Sequence, residues 1–265
     1  MGRYTHGHHE SVLRSHRRRD VGNSAGYLAA HLTSGASLLD VGCGPGTLTV
    51  DLARHLAPGR VVGIDRSDSI VELATADRPG DVTNLEFRVG NVYALDFDDG
   101  TFDIVHAHQV LQHLDDPVAA LREMGRVCRQ GGVVAARDAD YEAMTWHPHD
   151  DRLDQWLATY RAVVAANGGQ PDAGRYLLAW AHEAGFAQVE PSASVWCFAT
   201  SRDRTWWGGL WSDRIVESAF ADYAIESGRA TRSDLDAMSA GWSSWAANRD
   251  GWFAVVHGEI ICPVL

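Results

Sequence analysis

The sequence predicts an α/β protein: a doubly wound sheet covered by helices on both faces, with an N-terminal helical cap and a helical insertion before the last strand. Three observations predict it. Short apolar runs alternate with helix-period stretches from about residue 37 to 140. A glycine cluster, "GCGPG" (42–46), stands where the first strand gives way to the first helix. The second strand ends in a carboxylate, Asp65, 19 residues after Gly46.

The elements follow in order. Residues 7–32 read as two helical pieces broken near Gly22. "SLLDV" (37–41) is a short apolar strand, and "TLTVDLARHLA" carries Leu48, Leu52 and Leu56 on one helical stripe that stops at "PG" (58–59). "RVVGID" (60–65) is the second strand, and "SDSIVELATA" (67–76) a helix with Ser67 as its N-cap. "NLEFRVG" (84–90) and "FDIVHAH" (102–108) are strands; "DDPVAALREMGRVCR" (115–129) is an amphipathic helix with Pro117 near its start. "GVVAARDAD" (132–140) is the fifth strand. Two helices are expected between 150 and 185, a strand over 188–200, a long helical stretch over about 203–248, and a final strand over 252–264. With no repeat or low-complexity linker, the organisation is a cap (1–35), a core (36–140) and a remainder (141–265) that completes the sheet and carries the insertion.

Composition narrows the function. The chain has 265 residues, 45% of them hydrophobic and 22% charged, enough to bury a real core. A formal net charge of −12 opposes nucleic acid as a partner, because phosphate neutralisation needs basic surface. All 23 basic side chains are arginine, which excludes Schiff-base chemistry through lysine. Cys43, Cys128, Cys197 and Cys262 are widely spaced and read as small buried hydrophobes in a reducing compartment. No apolar run suits a membrane span and no signal-type segment opens the chain, so no membrane partner and a cytoplasmic location are expected.

The glycine turn points to a nucleoside ligand. Gly42, Gly44 and Gly46 let the backbone approach a ligand closely at a helix N-terminus, and Asp65 is placed to accept from both hydroxyls of a ribose. A dinucleotide pattern wants glycine or alanine where Thr47 stands. Asp40, just before the first glycine, would repel a pyrophosphate but suits an ammonium group. S-adenosylmethionine carries an ammonium, a sulfonium and a ribose, so the charge pattern favours it over NAD.

"LLDVGCGPG", "GID" (63–65), "GNVYALDF" (90–97), "FDIVHAHQVLQHLDDP" (102–117) and "GGVVAARD" (131–138) resemble, in order, the motifs of class I S-adenosylmethionine-dependent methyltransferases of the ubiquinone/menaquinone type. The resemblance covers about residues 36–140; "HESVLRSHRRRDVGNSAGYL" also resembles the N-terminal cap of bacterial small-molecule members, and beyond 140 the likeness is architectural. It implies a Rossmann-like sheet of seven strands with the last antiparallel. It implies that Asp40, Gly42 and Gly44 hold the methionine end, that Asp65 holds the ribose, and that Arg66 lies against the adenine. Asn91 stands where the family usually has aspartate, its side-chain oxygen still able to accept from the adenine amino group, with Val92 supplying backbone. His108 would contact the cofactor mainly through backbone, Gln112 would face the methyl pocket, and His113 matches a recurrent family histidine.

The histidine-rich stretch "HAHQVLQHLDD" (106–116) leaves three readings open: a metal site using His106, His108, His113 and Asp115 or Asp116, an active-site loop, or a plain junction. A sulfonium is already an activated electrophile, so no metal is expected. His113 is the candidate general base, and Asp138 a second catalytic candidate at the fifth strand's C-terminal end, with Asp140 and Tyr141 beside it. His6, His8, His9 and His16 crowd the N-terminus, where they could face solvent, hold a metal, or belong to a cofactor lid in which Tyr4, His16 and Tyr27 make contacts; solvent is the expected reading.

Seven of ten tryptophans fall between 196 and 252. They either stitch the insertion to the sheet or line an acceptor pocket. Tyr27, Gln112, Tyr141, Trp206 and Trp207 are the candidate acceptor-binding residues. The expected activity is S-adenosylmethionine-dependent methylation, at carbon or oxygen, of a small electron-rich aromatic acceptor such as an indole- or phenol-like secondary metabolite. The alternatives are methylation of a quinone precursor and a cofactor-retaining protein that catalyses a rearrangement. A homodimer is left open.

Overall fold

The computed structural model describes residues 14–265. Seven strands form one sheet: β1 (Leu38–Val41), β2 (Val61–Asp65), β3 (Leu85–Val89), β4 (Phe102–His108), β5 (Cys128–His147), β6 (Glu190–Phe198) and β7 (Trp252–Pro263). Their order is β3-β2-β1-β4-β5-β7-β6. The first five strands run parallel, and β7 is antiparallel to both β5 and β6. The chain reverses direction of travel at β1, between β2 and β4, so a crevice opens there beyond the strand C-termini. β1 is buried throughout, as expected of a central parallel strand.

The helices are α1 (Val21–Ser24), α2 (Thr47–Leu56), α3 (Asp68–Ala76), α4 (Pro117–Val127), α5 (Asp151–Ala166), α6 (Leu177–Ala184), α7 (Ser201–Glu217), α8 (Ala219–Glu226) and α9 (Arg232–Ala247). Leu48, Leu52 and Leu56 of α2 join Leu38, Val61, Ile104 and Val133 in a core on one face of the sheet. Leu121 and Met124 of α4 pack with Leu39, Val62, Val105 and Val134 on the other. Each helix contributes an apolar stripe at a period of 3–4 residues, the condition for burying one side of a helix on a sheet.

Several limits differ from the sequence reading. β5 runs to His147 rather than 140, because β7 pairs with it from Pro263 opposite Val133 to Trp252 opposite His147. The helical stretch near 203–248 is three helices, broken at Ser218 and again over 227–231. Ser218 accepts the Phe220 N–H and Thr231 the Asp234 N–H, so each break supplies the next N-cap. Gly22 lies inside α1, whose capping box is Asp20 with Asn23, and the break falls at Ala25 instead. Ser67 occupies the N-cap position of α3, but its hydroxyl meets Ser69. Of the cysteines, Cys43, Cys128 and Cys262 are buried, while Cys197 is exposed.

The insertion stands on its own aromatic core. Trp156, Trp211 and Trp242 are fully buried, with Tyr160 and Phe253 between them. Trp156 meets Trp211 and Trp242 edge-on at centroid distances of 4.6 and 4.8 Å. Edge-to-face rings at this spacing set the positive rim of one against the negative face of the next.

Candidate active site

A cleft of about 580 Å³ lies beyond the C-terminal ends of β1, β2 and β4. Gly42, Gly44, Asp65, Arg66, Asn91, Val92, His108 and His113 all line it, so most of the residues expected to hold a cofactor converge there. The glycine turn has φ of +69° at Gly42, +55° at Gly44 and +80° at Gly46, a region that disfavours any residue with a Cβ. A Cβ on Gly42 would sit 2.5 Å from Val110 Cγ2, and one on Gly46 at 2.5 Å from the Phe87 ring. Glycine is therefore required both for the turn and for the close packing beneath the cleft.

Asp65 ends β2 with its carboxylate turned into this loop. It accepts from the Gly44 N–H at 3.2 Å and the Ser67 N–H at 3.1 Å. Each carboxylate oxygen retains a lone pair for a ligand hydroxyl. Arg66 and Asn91 are exposed at the rim, and Val92 is buried beside them. The Asn91 side-chain oxygen accepts from the Tyr93 N–H at 3.1 Å, so an adenine amino group would share it.

Asp40 is buried and reaches the floor rather than the cleft. Its carboxylate takes Thr49 Oγ1 at 2.6 Å and His106 Nδ1 at 2.8 Å, and it borders only a small recess below Gly42. His106 is spent on that pair. His108 is buried with neither ring nitrogen partnered, and burial, reinforced by Arg19, holds its pKa well below the usual imidazole range. Both histidines share a strand face, as their spacing requires, yet with His113 they form no ligand cluster. Among the described residues the one compact His/Asp group is His149, Asp151 and Asp154, all exposed.

A second cavity of about 610 Å³ opens between the N-terminal segment and β6. Tyr27, Trp196, Phe198, Trp206 and Trp207 form its aromatic walls, and Arg137, Glu259, Ser192 and Ser194 its floor. A narrow space between the two cavities is lined by Gln109, Gln112, His113, Tyr141 and Trp207. Arg19 borders all three. Of the expected acceptor residues, Tyr27, Trp206 and Trp207 thus meet in the aromatic cavity, while Gln112 and Tyr141 meet in the junction.

The two catalytic candidates have opposite electrostatics. Burial, with a smaller contribution from Arg19, pushes the His113 pKa down to about 3. The Gln112 amide nitrogen sits 3.1 Å from His113 Nε2; an amide N–H can only donate, so that nitrogen accepts. Asp138 is fully buried, and desolvation pushes its carboxyl up to about 7 against the hydrogen bonds it accepts from the Gln112 and Leu111 N–H groups. It lines neither the cleft nor the aromatic cavity. It stands behind the 3-10 turn Leu111–His113, where it fixes the backbone that presents Gln112 and His113.

Residue-by-residue reading of the sequence missed three participants, Gln109, Arg137 and Glu259. Gln109 has φ of +55°, in the left-handed region, and links Arg19 to His257, whose Nε2 is 3.0 Å from its amide nitrogen. A strained position at a strand end is where functional geometry concentrates. Arg137 and Glu259 form a buried ion pair at 3.0 Å across β5 and β7. The signal was present: Arg137 inside "VVAARD" and Glu259 inside "HGEIIC" are charges in otherwise apolar strand stretches. Trp196 lies 4.4 Å from the His257 ring, centroid to centroid. Tyr4, His6, His8 and His9 lie outside the described residues.

A seven-stranded sheet with this order and one antiparallel strand, a glycine turn at β1 and an acid at the end of β2 define a class I methyltransferase fold with a nucleoside cleft. The chain belongs to the Methyltransferase domain family, whose pattern matches residues 32–185. It is 32% identical over 268 residues to an uncharacterised methyltransferase of Schizosaccharomyces pombe, covering 97% of this chain and 95% of that one. It is 31% identical over 207 residues, 73% of this chain and 59% of the relative, to the 2-methyl-6-phytyl-1,4-hydroquinone methyltransferase of Synechocystis. Among solved structures, the 4+2 cyclase SpnF superposes with a TM-score of 0.53 at 20% identity, over 94% of this chain and 80% of that one. The protein is an S-adenosylmethionine-dependent methyltransferase with demethylmenaquinone and phytyl-hydroquinone methyltransferases among its distant homologues. The site fits that cofactor: glycines with no room for a Cβ, a carboxylate at the end of β2 with lone pairs left for a ligand hydroxyl, and a buried, unpartnered imidazole at His108.

Proposed function

We propose that this methyltransferase acts on a small, electron-rich aromatic acceptor, at carbon or oxygen, with the ring held in the cavity walled by Tyr27, Trp196, Phe198, Trp206 and Trp207. One observation carries the reading: that cavity and the nucleoside cleft meet through the narrow space at Gln112 and His113. Two cavities joined by a narrow space lined with polar atoms suit two reactants whose reacting atoms meet at the joint. The hydroquinone acceptor in the Synechocystis relative's name is of the same chemical kind.

In this reading Asp65 and the Gly42–Gly46 turn hold the cofactor, with Arg66, Asn91 and Val92 at its adenine end. When bound, the cofactor supplies a methyl group already activated by positive sulfur. The chain's own residues align and dry the acceptor. Gln112 Oε1 is buried with no partner, so it is available to accept from an acceptor hydroxyl or ring N–H. His113, held neutral by burial, serves as a hydrogen-bonding neighbour of the acceptor. Asp138 is a positioning residue that keeps the turn in register. Aromatic walls exclude water that would otherwise solvate the nucleophile.

The test is product analysis with methyl-labelled S-adenosylmethionine and a panel of phenols, indoles and hydroquinones. Label must enter an aromatic product while S-adenosylhomocysteine accumulates in equal amount. Conversion of an added compound with no S-adenosylhomocysteine formed would replace this reading with a cofactor-retaining rearrangement.

A further inference from the structure

The floor of the aromatic cavity is charged, which an aromatic ring alone does not need. Arg137 is 1% exposed. Its Nε donates to Glu259 at 3.0 Å and its Nη2 to Ser194 Oγ at 3.0 Å. Both Glu259 oxygens are engaged: Oε1 also takes Ser194 Oγ, and Oε2 takes Ser192 Oγ at 2.8 Å. Arg137 Nη1 is buried and has no partner. Nearby, the Tyr27 hydroxyl is also buried without a partner. Both residues line the same cavity. Trp196 closes one side, with the guanidinium carbon 4.9 Å from its ring centroid.

A purely structural ion pair does not leave this arrangement. Glu259 alone neutralises Arg137, and a buried donor without an acceptor is costly. Arg18, Arg19 and Arg137 line the cavity, and Glu259 is the one carboxylate among its lining residues. Arg18 is paired with Asp203, and Arg19 donates to Gln109. The two buried donors with no acceptor, Arg137 Nη1 and the Tyr27 hydroxyl, favour a ligand that accepts hydrogen bonds, and a carboxylate above an amide or an amine. A planar carboxylate matches a guanidinium N–H beside a phenolic O–H, since both donate and neither needs a proton from the ligand.

We propose that Arg137 and Tyr27 form an anchor for the carboxylate of the acceptor, so that the substrate class is an aromatic acid whose ring lies against Trp196, Phe198, Trp206 and Trp207. The inference rests on the reading of this cavity as the acceptor site. Glu259, Ser192 and Ser194 then act as positioning residues: they hold the guanidinium edge-on and turn Nη1 to the ligand. The anchor also sets which end of the acceptor reaches the junction, because the carboxylate is held at the floor and the far edge of the ring is left toward Gln112.

The experiment measures binding of indoleacetate and naphthoate, each against its primary amide, by calorimetry on the full chain saturated with S-adenosylhomocysteine. Each acid is expected to bind about tenfold or more tightly than its amide, the worth of one charge-assisted hydrogen bond. In the Arg137→Gln/Glu259→Gln double variant, which removes both charges together, the preference should vanish while the amides and S-adenosylhomocysteine bind as before. Tyr27→Phe should lower the acid preference severalfold on its own, covering the case in which the double variant does not fold. Acid and amide binding alike in the unaltered protein, or an acid preference that persists in both variants, overturns the anchor. Methyl transfer is scored separately: failure to bind S-adenosylhomocysteine in the unaltered protein counts against the functional reading and not against the anchor.

Discussion

The carboxylate of Asp40 lies 2.8 Å from Nδ1 of His106 on the adjacent strand, and both side chains are buried. Asp40 also takes the Thr49 hydroxyl. It therefore ties β1, β4 and α2 together directly under the glycine turn. Asp40→Ala is expected to lower the melting temperature as well as cofactor affinity, since it orphans two buried donors at about 1–3 kcal/mol each. Thermal unfolding with and without S-adenosylmethionine separates the two effects. A variant with unchanged stability would leave Asp40 a purely ligand-facing residue.

Asp65 is the more selective probe of the cofactor. Asp65→Ala is expected to weaken S-adenosylmethionine binding by about 1–3 kcal/mol through lost charge-assisted hydrogen bonds. NAD should not bind measurably in calorimetry at the same concentrations. Tight NAD binding would contradict the assignment of the cleft.

Trp206 and Trp207 differ in what their removal tests. Trp207 is buried and stacks on Phe198 at 4.3 Å, so Trp207→Ala is expected to cost about 3–5 kcal/mol of stability. Trp206 is half-buried against Arg18. Trp206→Ala should therefore fold, bind cofactor within a few fold, and raise the acceptor's KM. Steady-state kinetics on that variant decide whether the aromatic wall serves the acceptor.

Acid should destabilise the protein. His108, His113 and His257 are held neutral by burial, with pKa values below the usual imidazole range. A histidine depressed in the folded state contributes stability above its ordinary pKa of about 6.5 that is lost as pH falls below it. Asp138 acts in the opposite sense: its raised pKa, about 7, contributes stability at low pH that is lost as pH rises through that value. Three groups outweigh one, so the melting temperature should fall on acidification below about pH 6.5. Asp138→Asn should raise the melting temperature more at about pH 8 than at about pH 5, and the reverse order would contradict the burial of its charge.

Chelators should leave turnover intact. His106 is committed to Asp40, and His149, Asp151 and Asp154 are exposed and remote in sequence from the cleft residues. Activity lost on treatment with a strong chelator and restored by one divalent ion would refute this.

The cleft at the glycine turn was legible because its signals are local. A glycine that must adopt positive φ, and an acid at a strand end, are specified by their immediate neighbours, as Gly42 and Asp65 show. The aromatic cavity was legible only in composition. Trp206 and Trp207 announced an aromatic wall, but Arg137 and Glu259 are 122 positions apart and meet only through the β5–β7 register. Gln109 carried no sequence mark at all; its left-handed backbone follows from the turn between β4 and the Leu111–His113 segment. The extra length of β5 was hidden for the same reason, since residues beyond 140 become strand only because β7 lies alongside.

The long β5–β7 ladder gives the aromatic cavity one wall that salt cannot loosen, because backbone hydrogen bonds in a buried sheet are indifferent to ionic strength. The opposite wall is fastened by Arg14 to Asp213 and by Arg18 to Asp203, ion pairs with half-exposed arginines that counterions screen. Acceptor exchange should then quicken as salt is raised while the cofactor cleft, framed by glycine backbone, stays as it was: an ionic latch on one door of a two-room enzyme.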